Sequence, residues 1–111
     1  MSERAKFEGT WHIYEMDFWD EDYFNMEVQA FIEFDSNGRG EFQFGLVRGS
    51  FYTDEINGDG KMKFDWGGSD ECDEAFGRGW VKLKDENTIK GSIKFHQGDK
   101  SKFWAKRAEQ N

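Results

Sequence analysis

Polar and apolar side chains alternate along most of this chain with a period of two, the pattern of strands that bury one face. Trp11 and Ile13 alternate with His12 and Tyr14, and Ala30, Ile32 and Phe34 with Phe31 and Glu33. Phe42, Phe44 and Leu46 alternate with Glu41, Gln43 and Gly45, and Met62, Phe64 and Trp66 with Lys61, Lys63 and Asp65. Toward the end, Ile89, Gly91, Ile93 and Phe95 alternate with Lys90, Ser92, Lys94 and His96, then Phe103, Ala105 and Arg107 with Lys102, Trp104 and Lys106. Weaker runs over 49–56 and 79–84 raise the expected number of strands to about eight.

Short clusters of residues that tolerate turns separate these runs at 35–40, 57–60, 85–88 and 97–100. A further turn is expected around Arg48-Gly49. Two segments, 17–27 and 67–79, read as longer loops, the first with room for one helical turn. Gly77-Arg78-Gly79-Trp80 reads as the re-entry from the second loop into strand six. Its glycines precede a strand, whereas a phosphate cradle needs backbone N–H groups converging at a helix start. The pattern predicts an all-β fold in one domain, 1–111: an antiparallel up-and-down meander of about eight strands closed into a small barrel. A β-sandwich is the alternative. Closure is favoured because it removes the edges that short strands would otherwise expose.

Composition changes the picture of the core. Leu, Ile, Val and Phe number only 22 of 111 residues, a low share for a chain that is 34% charged, but Phe, Tyr and Trp make up 18%. Rings therefore supply the burial that leucine usually supplies. The inward set is expected to include Trp11, Phe34, Phe42, Phe44, Phe64, Trp66, Phe95 and Phe103, with Ala30, Gly91 and Ala105 as small positions. So many rings on short strands predict a packed interior rather than a cavity.

Charge divides the chain. Residues 1–77 hold 6 basic and 19 acidic side chains, and residues 78–111 hold 9 basic and 4 acidic, within a net charge of −8. That net charge disfavours general nucleic-acid binding, which needs cations against phosphates. No apolar run has the roughly 20 residues of a membrane helix, and the beginning Met-Ser-Glu-Arg-Ala-Lys lacks the apolar region of a secretory signal. The single cysteine, Cys72, has no intramolecular disulfide partner. A cytoplasmic location is the expectation.

Gly9-Thr10-Trp11 at the start of the first strand, with Arg107 on the last, resembles the calycin pattern of lipocalins and avidins. In those families a Gly-x-Trp packs against a basic side chain from the final strand, and the resemblance implies that Trp11 and Arg107 close one barrel end. The chain is also similar to a group of small bacterial proteins sharing Gly-Arg-Gly-Trp and Phe-His-x-Gly-Asp segments, a likeness that implies no activity.

In an up-and-down barrel the connections alternate between ends, so 17–27 and 67–79 fall on one rim, about half the circumference apart. Function concentrates on longer loops held by a rigid scaffold. The candidate partner-binding residues are Asp17, Trp19, Asp20, Glu21 and Asp22 on one segment and Asp70, Glu71, Asp73 and Glu74 on the other. Such carboxylates suit a basic partner or a hard cation, and equally an ordinary solvated surface. No EF-hand spacing is present, since Arg39 falls where an acidic ligand belongs, so no metal or other cofactor is expected. His12 and His96 are too few for a zinc site, and Glu71, Asp73 and Glu74 oppose ionisation of Cys72. No catalytic constellation stands out. The outward lysines 82, 84, 90, 94, 102 and 106, interleaved with Trp80 and Trp104, suit a nucleic-acid strand in composition but also an ordinary solvent face. The expected function is binding without catalysis, through the acidic rim on a basic protein partner, including an inhibitor or nucleic-acid-mimic role. The alternative is a calycin-like carrier or sensor of a small apolar ligand.

Overall fold

A computed structural model of the protein describes residues 3–108. After a 3-10 turn, Glu3–Phe7, come eight strands: β1 Gly9–Met16, β2 Phe31–Phe34, β3 Arg39–Phe44, β4 Val47–Ile56, β5 Lys61–Asp70, β6 Asp73–Asp85, β7 Thr88–Phe95 and β8 Lys100–Arg107. One helical turn, α1 Glu21–Phe24, lies between β1 and β2. Each strand pairs antiparallel with the next and β1 pairs with β8, giving a closed up-and-down barrel. Among the described residues no helix is long and apolar enough to cross a membrane.

The interior is filled by the rings that the alternation places inside. Trp11, Phe34, Phe42, Phe44, Phe64, Trp66 and Phe103 are buried, and Phe95 is half-buried against them. Phe51, which the weaker 49–56 run left unassigned, joins them and stacks on Phe64 at 4.2 Å. A narrow barrel holds so many rings because several of them face a glycine directly across the ladder. Phe51 opposes Gly40, Phe42 opposes Gly49, Phe64 opposes Gly79 and Phe103 opposes Gly91. A Cβ on Gly91 would lie 2.5 Å from the Phe103 ring, so these glycines are the spaces into which the rings pack.

Two hairpins differ from the sequence reading. The turn after β3 is Gly45-Leu46, not Arg48-Gly49, which lie inside β4. Gly45 has φ +57° and the Tyr23 ring covers its α-carbon, so a side chain there would be both strained and crowded. The stretch 67–79 is no loop. β5 and β6 continue as a hairpin that pairs as far as Asp70 and Asp73, with β5 flanked by β4 throughout and β6 unpaired with β7 before Gly77, leaving only Glu71-Cys72 as the turn. Gly77-Arg78-Gly79-Trp80 is accordingly interior to β6, not a re-entry. Glycines and charged residues weaken the alternation in this stretch, but the backbone ladder needs no apolar side chains to continue.

The connections at 35–38, 57–60 and 86–87 share one end with the 3-10 turn. There the Arg107 guanidinium lies 4.1 Å from the Trp11 ring and donates to the carbonyls of Lys6, Glu8 and Glu86. The Trp11 indole N–H donates to the Phe7 carbonyl at 2.8 Å, and Phe7 is itself buried. Cation–π attraction and satisfied carbonyls thus close this end and tie the first strand to the last.

Candidate functional site

The opposite end is built from the β1–β2 connection, the Gly45-Leu46 turn, the β5–β6 hairpin and the β7–β8 turn. Asp17 leaves β1 with its carboxylate accepting from the Lys102 amide at 2.8 Å and from the Ser101 hydroxyl at 3.0 Å. Ser101 also accepts from the Phe18 amide, so the connection is anchored to β8. Asp20 caps α1, its side chain accepting from the Tyr23 amide at 3.1 Å. Glu21 and Asp22 follow in the first helical turn, where carboxylates complement the helix dipole.

Trp19 is turned into the barrel mouth. Its ring meets Phe44 at 5.0 Å, Tyr23 at 5.9 Å and Phe95 at 6.0 Å, forming a lid over the core. Directly beneath, Trp66 meets Phe95 edge-on at 5.2 Å, and its buried indole N–H has no hydrogen-bond partner among the described residues.

The two acidic segments are closer than half a circumference. α1 folds inward, the Gly45 amide donates to the Phe24 carbonyl, and the Glu71 amide donates to the Leu46 carbonyl. Tyr23 bridges the gap, its hydroxyl accepting from the Leu46 amide at 3.4 Å. Burial raises the Tyr23 pKa above its ordinary value; the Leu46 hydrogen bond opposes that rise, and the negative charges of Asp70 and Glu71 add to it. Asp70 is half-buried, whereas Glu71, Cys72, Asp73 and Glu74 project into solvent at the hairpin tip. Glu71 adopts φ +61°, a conformation costly for a side chain with a Cβ.

Apolar groups that the alternation did not flag accompany these carboxylates. Phe18, Met26 and Val28 on the β1–β2 connection are 53%, 50% and 45% exposed, and Phe76 on the projecting hairpin is 54% exposed. Phe76 stacks on His96 of the β7–β8 turn at 4.8 Å. Phe76 falls on the outward parity of β6, a signal present in the sequence once that stretch is read as strand. Phe18, Met26 and Val28 lie outside any strand, where the period says nothing.

A second group was invisible without the register. Glu33 and Glu41 face each other across β2 and β3 on the outer wall, and the Thr10 hydroxyl donates to Glu33 at 3.1 Å. A hydrogen bond to Glu33 raises the Glu41 pKa, with smaller contributions from desolvation and from the Glu33 charge; Arg39 and Arg48 pull the other way.

Among the described residues, no group of three or more His, Cys, Asp or Glu side chains converges as metal ligands would. Comparison with protein-family models, with curated proteins and with solved structures finds no match for this chain.

Proposed function

We propose that the protein is a non-enzymatic binding module that engages a basic protein partner through the end carrying α1 and the β5–β6 hairpin tip. The observation that carries this reading is the clustering of exposed Phe18, Met26, Val28 and Phe76 at the same end as Glu21, Asp22, Glu71, Asp73 and Glu74. Apolar anchors bordered by charges of one sign have the composition of a protein interface, the anchors supplying affinity and the charges steering. The positive φ of Glu71 at the hairpin tip costs stability, as strain held at a contact site does. Cytoplasmic location and a calycin-like relationship, the latter supported by the Trp11–Arg107 contact, belong to the same reading.

The carrier alternative has one observation in its favour: the unpartnered Trp66 N–H beneath the Trp19 lid would donate to a small ligand that displaced the lid. Native mass spectrometry of the protein purified from its own host separates the two. A copurifying basic chain is expected, with an affinity that falls steeply with salt because exposed charges are screened within about 8 Å at physiological ionic strength. The variant E21Q/D22N/D73N/E74Q should lose that chain while keeping the fold. Unchanged binding by this variant, or a copurifying small apolar molecule, would overturn the proposal.

A further inference from the structure

Most basic residues of the second half of the chain, Arg107 at the closed end excepted, share the outer face of β5 to β8. Strand pairing sets the outward residues of β5 to β8 in three rows running across the wall. Lys61, Lys82 and Lys90 lie side by side in the first, and Arg78, Lys94 and Lys100 in the third. The row between them reads Lys63, Trp80, Ser92 and Lys102. Rows are spaced about 6.8 Å along the strands, and neighbours within a row lie about 4.8 Å apart. Like charges directly opposite one another destabilise a sheet. Asp65 heads the third row opposite Arg78, at 3.6 Å, with both side chains largely in solvent, where such pairs contribute little.

The middle of this grid is hollowed. Gly79 and the buried Ser92 lie along a groove of about 420 Å³ beside the Trp80 indole, bordered by the cations Lys63, Arg78, Lys94 and Lys100 and by the carboxylates Asp54 and Asp65. Trp80 is half-buried, and Lys61 approaches its ring at 4.3 Å. Trp104 pairs with Lys90 in the same lattice.

We infer that this face of β5 to β8 binds a single strand of nucleic acid, with a base on Trp80 in the groove and phosphates along the lysine rows. An aromatic platform within a cationic track is the recurring solution for single strands, and it is tolerant of sequence. A free nucleotide would need only the groove, whereas the cations continue across four strands. The net charge of −8 is an average over the molecule, and its acidic excess lies in residues 1–77. A second copy of this chain is a poorer occupant. Its acidic end would make a head-to-tail contact between molecules that repel overall.

The test is fluorescence anisotropy with labelled dT12 and rU12 at about 50 mM salt, using the full chain. Binding is expected, with an affinity that falls linearly in log–log against salt. The charge-reversal variant K82E/K94E/K102E should bind more than tenfold more weakly, and K82Q/K94Q/K102Q, which is milder for folding, should move the same way. Trp80→Ala should weaken binding about five- to hundredfold, and Trp80→Phe should restore most of it. The E21Q/D22N/D73N/E74Q variant should bind the oligonucleotides as tightly as the unmodified chain, so failure here and failure of the acidic-end proposal are told apart. Four results would each overturn the inference: no binding at 50 mM salt, binding indifferent to both lysine variants, equal competition by polyglutamate, or sedimentation showing that the lysines hold copies of the chain together.

Discussion

The two ends of the barrel are closed by tryptophans in opposite ways. At one, Trp11 is fully buried, its N–H is satisfied, and Arg107 covers its face while holding three backbone carbonyls. At the other, Trp19 is half-buried, rests on other rings, and sits on a connection whose neighbours Phe18, Met26 and Val28 face water. One closure uses directional, mutually satisfied contacts between the first and last strands. The other uses nondirectional ring packing from a connection of irregular backbone. The first holds the fold together; the second has the composition of a surface that meets something else.

The largest expected effect comes from breaking the first closure. Trp11→Ala should destabilise by about 3–5 kcal/mol in urea denaturation, as removal of a buried tryptophan does. Arg107→Ala should be severe as well, since it leaves the Trp11 face uncovered and strips donors from the Lys6, Glu8 and Glu86 carbonyls. Trp19→Ala should cost less, about 1–2 kcal/mol, from lost ring contacts and partial exposure of Phe44 and Phe95. It should also create binding of a hydrophobic dye that the unmodified chain lacks. If the two tryptophan variants were equally destabilised, the contrast between the ends would fail.

Smaller effects sharpen the comparison. Glu71→Gly should stabilise by up to about 1 kcal/mol, because glycine accepts the positive φ without a Cβ. Thermal melting would show it, and a loss instead would mean that the Glu71 side chain contributes more than its strain costs. On the wall between the ends, the Glu41 pKa is raised in the folded state by its Glu33 neighbour. A raised folded pKa contributes stability that is present at acid pH and lost as pH rises through it. Glu41→Gln should therefore raise the melting temperature slightly at pH 7, by less than about 1 kcal/mol in stability, and make no difference near pH 3.

How far these regions could be read from the sequence differs for a physical reason. Alternation over β1, β3, β7 and β8 is strong because one face of each strand is buried in rings, so strand, parity and the buried set of Trp11, Phe42 and Phe103 were legible. The Trp11–Arg107 closure follows from the resemblance to the calycin pattern, since alternation places Trp11 inward but does not select the cation that covers it. The stretch 67–79 reads as loop in the sequence because glycines and charged residues fill most of its positions, and with only Ala75 packed against the core and Phe76 on His96 it leaves little period-two signal. The carboxylates at its tip and in α1 were legible as residue types. Their mutual approach was not, since it rests on α1 folding inward over Gly45 and on two backbone hydrogen bonds.

Composition and periodicity alone determined that this chain is an all-β meander with an aromatic core and an uneven distribution of charge. Only the tertiary structure decided which glycine faces which ring, which lysines line up across β5 to β8, and that Glu33 meets Glu41. Those facts depend on register. Register is set by the summed packing of both partners of every strand pair, and one strand's own sequence carries only half of that information.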